Sequence, residues 1–133
     1  KQLAGKPLAV CWDGEPAGTT ALEDTAILEM AGIDAKLIRE GEADAARQAG
    51  AGQILFLARQ DLDFAPGAGR MDAKFARQLL GEGKVSGNTA RLLARAAEQV
   101  ERGLPRVAVI DQRRPHALLL YLLGRDVPAV TVE

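Results

Sequence analysis

Short aliphatic runs alternate along this chain with longer stretches rich in alanine and leucine, the rhythm of strands and helices built around a mostly parallel sheet. Pro7 to Trp12 is almost continuously apolar, which predicts a strand buried on both faces, ended by Asp13-Gly14, Pro16 and Gly18. Thr19 or Thr20 then caps a helix to Ala31, with Leu22, Ala26, Ile27, Met30 and Ala31 at helical spacing and Gly32 as its stop. Ala35 to Arg39 reads as a second strand, and Glu42 to Ala49 as a short helix stopped by Gly50 and Gly52. Gln53 to Leu57 is a strong apolar run and predicts a central strand. Further helices are predicted over Asp72 to Leu80, Thr89 to Arg102 and His116 to Leu123, with strands over Arg106 to Asp111 and Ala129 to Glu133. Ser86 or Asn88 caps the long helix, whose Leu92, Leu93, Ala96, Ala97 and Val100 form one apolar stripe, and Gly103 ends it. The expected fold is α/β: a three-layer αβα sandwich on a sheet of about five strands, at least four of them parallel. Gln53 to Leu57 and Val107 to Ile110 are expected at its centre.

Composition narrows the function classes. A length of 133 residues suits one domain, so residues 1–133 are expected to form one core with no second catalytic lobe. Hydrophobic residues make up 47% of the chain and the formal net charge is −1, so core material is ample and nothing in the charge favours nucleic acid. No apolar run approaches the ~18–20 residues of a membrane span, and Lys1 to Lys6 lack the apolar stretch of a signal peptide. A soluble, cytoplasmic protein is expected. Cys11 is the only cysteine, which excludes an intrachain disulfide and a cysteine-based metal cluster.

Several positions carry candidate chemistry, each with a plainer alternative. Asp61 to Gly69, rich in acids, glycine and Pro66, is loop chemistry at the carboxyl end of a strand, where open α/β sheets gather ligands. Asp61 and Asp63 suit magnesium through water, or simply keep a loop polar. Ser86, Gly87 and Asn88 open a helix, where backbone N–H groups and the helix dipole suit a phosphate; the alternative is an ordinary cap. Lys84, Arg91 and Arg114 are cations placed to neutralise phosphate oxygens, or solvated surface charges. Arg113 and Arg114 follow a strand end, a better place for a ligand contact than mid-helix. His116, the only histidine, follows Pro115 and reads as a helix-end or packing residue rather than a base. Cys11 lies inside an apolar strand and reads as a buried structural thiol, and Trp12 as a core or sheet-edge anchor.

From Gly83 onward, the string GKVSGNTARLLARAAEQVERGLPRVAVIDQRRPHALLLYLLG resembles the C-terminal segment of acetylglutamate kinases, members of the amino acid kinase family. The family pattern is a Gly-Gly-Met turn opening a long helix, then a strand ending in Asp-Gly-Arg, then Pro-His-Ala-Leu-Leu. Asp111-Gln112-Arg113-Arg114-Pro115-His116-Ala117-Leu118-Leu119 keeps the aspartate, the first arginine and the whole Pro-His-Ala-Leu-Leu run. Gln53 to Gly67 and Lys6 to Gly14 match more weakly. The resemblance implies a parallel αβα sandwich holding ATP, with magnesium, over the C-terminal half, and phosphoryl transfer to the carboxylate of an acylated amino acid.

Departures from the pattern fall on chemistry-bearing positions. The family's first-strand lysine aligns with Cys11, the Gly-Gly-Met turn reads Ser86-Gly87-Asn88, and the lysine in the following helix aligns with Arg91. The chain is about half a family enzyme in length, with no counterpart found for the acyl amino acid lid or for the Asn-Ala-Asp stretch. The resulting expectation is a shortened domain that binds nucleotide (ATP or ADP) or phosphate through Lys84, Ser86, Gly87, Asn88, Arg113 and Arg114. Arg91 is the one candidate catalytic residue, and kinase activity is expected to be weak or absent. Two alternatives stand beside it: a kinase whose missing lobe comes from a partner chain in a homo-oligomer, and an interaction module using the apolar helix Leu118 to Leu123.

Overall fold

The computed structural model of the protein describes residues 7–12, 21–58, 69–112, 115–125, 127 and 129–133. Its strands are β1 (Leu8–Trp12), β2 (Ala35–Arg39), β3 (Gln53–Ala58), β4 (Arg70–Met71), β5 (Val107–Asp111) and β6 (Ala129–Val132). Its helices are α1 (Ala21–Met30), α2 (Ala43–Gln48), α3 (Ala73–Gly81), α4 (Gly87–Glu101) and α5 (Ala117–Leu122), with a 3-10 turn over Glu40–Glu42. The strands form one six-stranded sheet in the order β2-β1-β3-β5-β6-β4.

Four neighbouring strands, β2, β1, β3 and β5, run parallel, with Leu8 opposite both Ala35 and Gln53 and Ile54 opposite Val107. β6 joins β5 antiparallel, and β4 joins β6 parallel. The short strand Arg70–Met71 is the element beyond the five expected. A two-residue segment carries too little alternation to be read from sequence. Its place at the edge is held by Arg70, whose Nε and Nη2 each donate to the Glu133 carboxylate at 3.1 Å.

Alternation along the strands sorts the core into two layers, because successive side chains leave opposite faces. Ala9, Cys11, Ile54, Phe56, Val107 and Val109 face one way and pack beneath Ala43 of α2, Ala76 and Leu79 of α3, and Leu92, Leu93, Ala96 and Ala97 of α4. Leu8, Val10, Leu55, Leu57, Ala108 and Ile110 face the other way, under Ala21 and Leu28 of α1 and Ala117 and Leu118 of α5. Both β3 and β5 are buried along their whole length, as central parallel strands must be. The predicted α4 stripe therefore meets the sheet as expected.

Helix α1 buries a different face from the one its apolar spacing suggested. Ala21, Asp24, Thr25 and Leu28 point inward, whereas Leu22, Ala26, Ile27, Met30 and Ala31 are exposed. Apolar residues lie on two sides of this helix, so periodicity alone does not choose between them. The side with small Ala21 against the sheet wins, and it carries Asp24 inward to a partner on α5. Gly32 ends the helix as predicted, in the left-handed region at φ +89, with Ile33 N–H bonding back to Leu28 O at 2.9 Å.

Candidate functional site

The helices α1, α4 and α5 all begin at the carboxyl edge of the parallel strands, the edge at which open α/β sheets place ligands. The predicted phosphate turn lies there. Ser86 occupies the N-cap position of α4 with extended backbone, and Gly87 takes φ +59, a left-handed conformation that favours glycine. A Cβ at Gly87 would meet nothing within 4 Å, so the restriction there is purely one of backbone conformation. Asn88 lies inside the first turn, where its Oδ1 accepts from Arg91 Nε at 2.9 Å. Ser86, not Asn88, is therefore the capping position. Thr89 is buried beside them.

Arg91 reaches across to the turn after β2. Its Nη1 donates to the Glu40 carboxylate, and Arg95, one helical turn on, donates to the same oxygen through Nε. Glu40 is largely covered, its side chain 11% exposed, while the two arginine side chains are 42% and 43% exposed. The cluster thus holds two positive charges against one negative charge beside the positive end of a 15-residue helix. Guanidinium groups are always charged and present several N–H donors in a plane, so a pair sharing one carboxylate keeps the geometry to recognise a phosphate as well.

Glu40 and Arg95 join the site only through the fold. Glu40-Gly41-Glu42 follows a strand end, which is the one signal in the sequence that an acid there faces the sheet's ligand edge. Lys84 is exposed at the C-terminal end of α3, where its backbone N–H bonds to Leu79 O at 3.0 Å. It stands near the start of α4 in sequence but makes no part of the arginine cluster. Arg113 and Arg114 lie outside the described residues, as do Asp61, Asp63, Pro66, Gly67 and the capping candidates Thr19 and Thr20.

Cys11 sits on the face of β1 that points beneath α4, 1% exposed. Burial, followed by the negative charges of Glu40 and Glu42, pushes its thiol up to about 12, so it is a neutral thiol at pH 7. At the position where the resemblance puts a lysine there is thus no charge and only a weak donor. Trp12 closes the same strand, half-buried, with the Arg39 guanidinium 5.6 Å from its ring centroid.

On the opposite face of the sheet, His116 holds the N-cap position of α5 at φ 58, ψ 31. Its Nδ1 donates to Asp24 Oδ1 at 2.7 Å, and the Asp24 side chain is 1% exposed. That bond, with the negative charges of Asp24 and Glu23, holds the imidazole above its ordinary range. His116 therefore ties α5 to α1 as a helix-end residue.

Among the described residues, no group of three or more His, Cys, Asp or Glu side chains gathers to hold a metal ion, and no helix is long and apolar enough to cross a membrane. No family model matches the chain, and no curated protein matches it either.

Proposed function

We propose that this chain is an amino-acid-kinase-like domain that takes the phosphate groups of ATP or ADP at the start of α4 and carries out little or no phosphoryl transfer. The observation that supports this reading best is the convergence of Arg91 and Arg95 beside the Ser86-Gly87-Asn88 turn, at the carboxyl edge of the sheet. Arg91 and Arg95 contact the phosphates, Asn88 holds Arg91 in place, and the left-handed Gly87 shapes the turn. Arg113 and Arg114, following β5, are the further cations this reading assigns to the nucleotide, with magnesium as its counter-ion.

Phosphoryl transfer is positioning plus stabilisation of charge on the transferred group, and one well-placed donor or cation is commonly worth ~3–4 kcal/mol. A neutral Cys11 in place of lysine forgoes such a contribution, and Glu40 already takes up part of the arginine charge. Binding is therefore weak, and turnover of ATP with an acylated amino acid stays at background.

Thermal melting of the full chain with ADP and with magnesium-ATP tests the binding step. A concentration-dependent rise in Tm that disappears in the Arg91→Ala, Arg95→Ala double variant supports it; the same rise in the variant moves the site elsewhere. Trapping acyl phosphate with hydroxylamine tests the chemical step. Robust product from ATP and acetylglutamate would make an oligomeric kinase, completed by a partner chain, the better reading.

A second reading, as an interaction module, is favoured by the outer surface of the α1 and α5 layer. Met30 is 87% exposed there and Leu123 72%, with Leu22 and Ile27 also exposed. Sedimentation at rising concentration separates it: a monomer throughout removes self-association.

A further inference from the structure

A groove lies beside the edge strand β2, on the face of the sheet that carries α2. It exists because α2 is only six residues long and turns alanines toward it. Crossing from β2 to β3, this helix packs Ala43 into the core, while Ala45, Ala46 and Ala49 form a wall of the groove with side chains that stop at Cβ. Ala9 of β1 and Ile38 of β2 line it from the sheet, and Pro7 and Ala51 line it at the amino edge. About 320 Å3 of space lies between these residues, at the low end of the roughly 300–1,000 Å3 of small-molecule sites. Its charged groups are Lys36 and Glu42. Lys36 stands opposite Ala9 and two residues before Ile38, so its side chain leaves the sheet on the groove's face. Among the described residues Lys36 has no hydrogen-bond or ion-pair partner. Glu42 is engaged with its own turn, its Oε1 accepting from the Arg39 backbone N–H at 3.0 Å.

We propose that this groove is a ligand site for a small amphiphile, an aliphatic chain ending in a single carboxylate. The chain follows from the walls: methyl and methylene groups line the space and no aromatic ring is among them, so the favourable term is burial of aliphatic surface rather than stacking. The head group follows from the charges. Lys36 brings one ammonium, a compact point charge with no partner of its own, and it neutralises one negative charge. The Glu42 carboxylate on the same groove repels a second, so a dicarboxylate or a phosphate dianion is held less well than a monoanion. The site shares no residue with the arginine cluster and does not depend on nucleotide binding.

The test uses the full chain labelled with 15N, titrated separately with butanoate, hexanoate and octanoate, and with suberate and octylammonium for comparison. The expected result is saturable shifts of the Lys36 to Ile38 and Ala45 to Ala49 amides, with affinity rising about fourfold for each methylene the groove takes up. Suberate and octylammonium bind more weakly than octanoate. Lys36→Gln weakens octanoate about fivefold, the size of one partly exposed ion pair. Ala45→Leu, which fills the groove from an exposed position of α2, weakens all three acids. Octylammonium or suberate binding as tightly as octanoate would overturn the proposal. So would the absence of saturable shifts at these amides, or octanoate binding undiminished in both variants. Shifts of the same amides that grow with protein concentration alone would assign the groove to a second copy of the chain and overturn it as well.

Discussion

Replacing Glu40 by glutamine separates the two roles of the arginine cluster, because stability and phosphate affinity move in opposite directions. In the parent chain one Glu40 oxygen accepts from both Arg91 and Arg95. A hydrogen bond to a charged group contributes roughly 1.5–3 kcal/mol and a neutral one roughly 0.5–1.5, so the amide keeps the shape and forfeits about half of each bond. The two arginine side chains are 42% and 43% exposed, so water recovers part of that loss. A net destabilisation of about 1–2 kcal/mol follows, which for a domain of this size lowers Tm by about 3–8 °C. The same substitution takes the cluster from one net positive charge to two. With a phosphate about 8 Å from the lost carboxylate and an effective dielectric of about 40, the gain is about 1 kcal/mol, or roughly fivefold in Kd. Isothermal titration with ATP at low salt reads the affinity, and raising the salt shrinks the difference. Unchanged or weaker ATP binding by a folded Glu40→Gln chain would refute the reasoning, since the arginines would then not face the phosphates.

Four further outcomes follow from the same geometry. Cys11 stays neutral in the folded chain to about pH 12 but ionises near pH 9 once unfolded, so its contribution to stability is complete below pH 9 and is lost as pH rises above it. Thiol labelling at pH 8 should accordingly be slow in the native chain and fast in denaturant. Cys11→Lys places an ammonium in a closed layer and costs about 2–4 kcal/mol, read by chemical denaturation, rather than restoring a working cation. His116 has a raised folded pKa, so its stabilisation is fully present below about pH 6.5 and fades as pH climbs through the folded value; His116→Asn should flatten the dependence of Tm on pH above 6.5. Gly87→Ala should destabilise by about 1 kcal/mol through its left-handed backbone alone, so loss of nucleotide binding on any substitution at Gly87 has to be read against melting of the unliganded variant.

The layers and the order of elements were legible in the sequence wherever periodicity was unambiguous. β3 and β5 are nearly unbroken aliphatic runs, and α4 has one apolar stripe, so each had one way to pack. α1 has two apolar sides, and the side it buries brings Asp24 to His116, residues 92 positions apart in sequence. The candidate site was legible only along one helix. Ser86, Gly87, Asn88 and Arg91 lie within one short stretch of sequence, but Glu40 follows the edge strand β2, 51 residues from Arg91. An acid that closes two arginines into a cluster leaves no trace in the sequence around those arginines.

Amide exchange provides a check on the frame itself: β3 and β5, buried on both faces, should exchange most slowly in the chain. The most direct test of the functional account is amide chemical-shift mapping of the full chain with magnesium-ATP. The account predicts saturable shifts centred on Gly87 to Arg91 and extending to Arg95 and Glu40, all reduced by added inorganic phosphate. Saturable shifts confined to other parts of the sheet edge, with the α4 start unmoved, would contradict it.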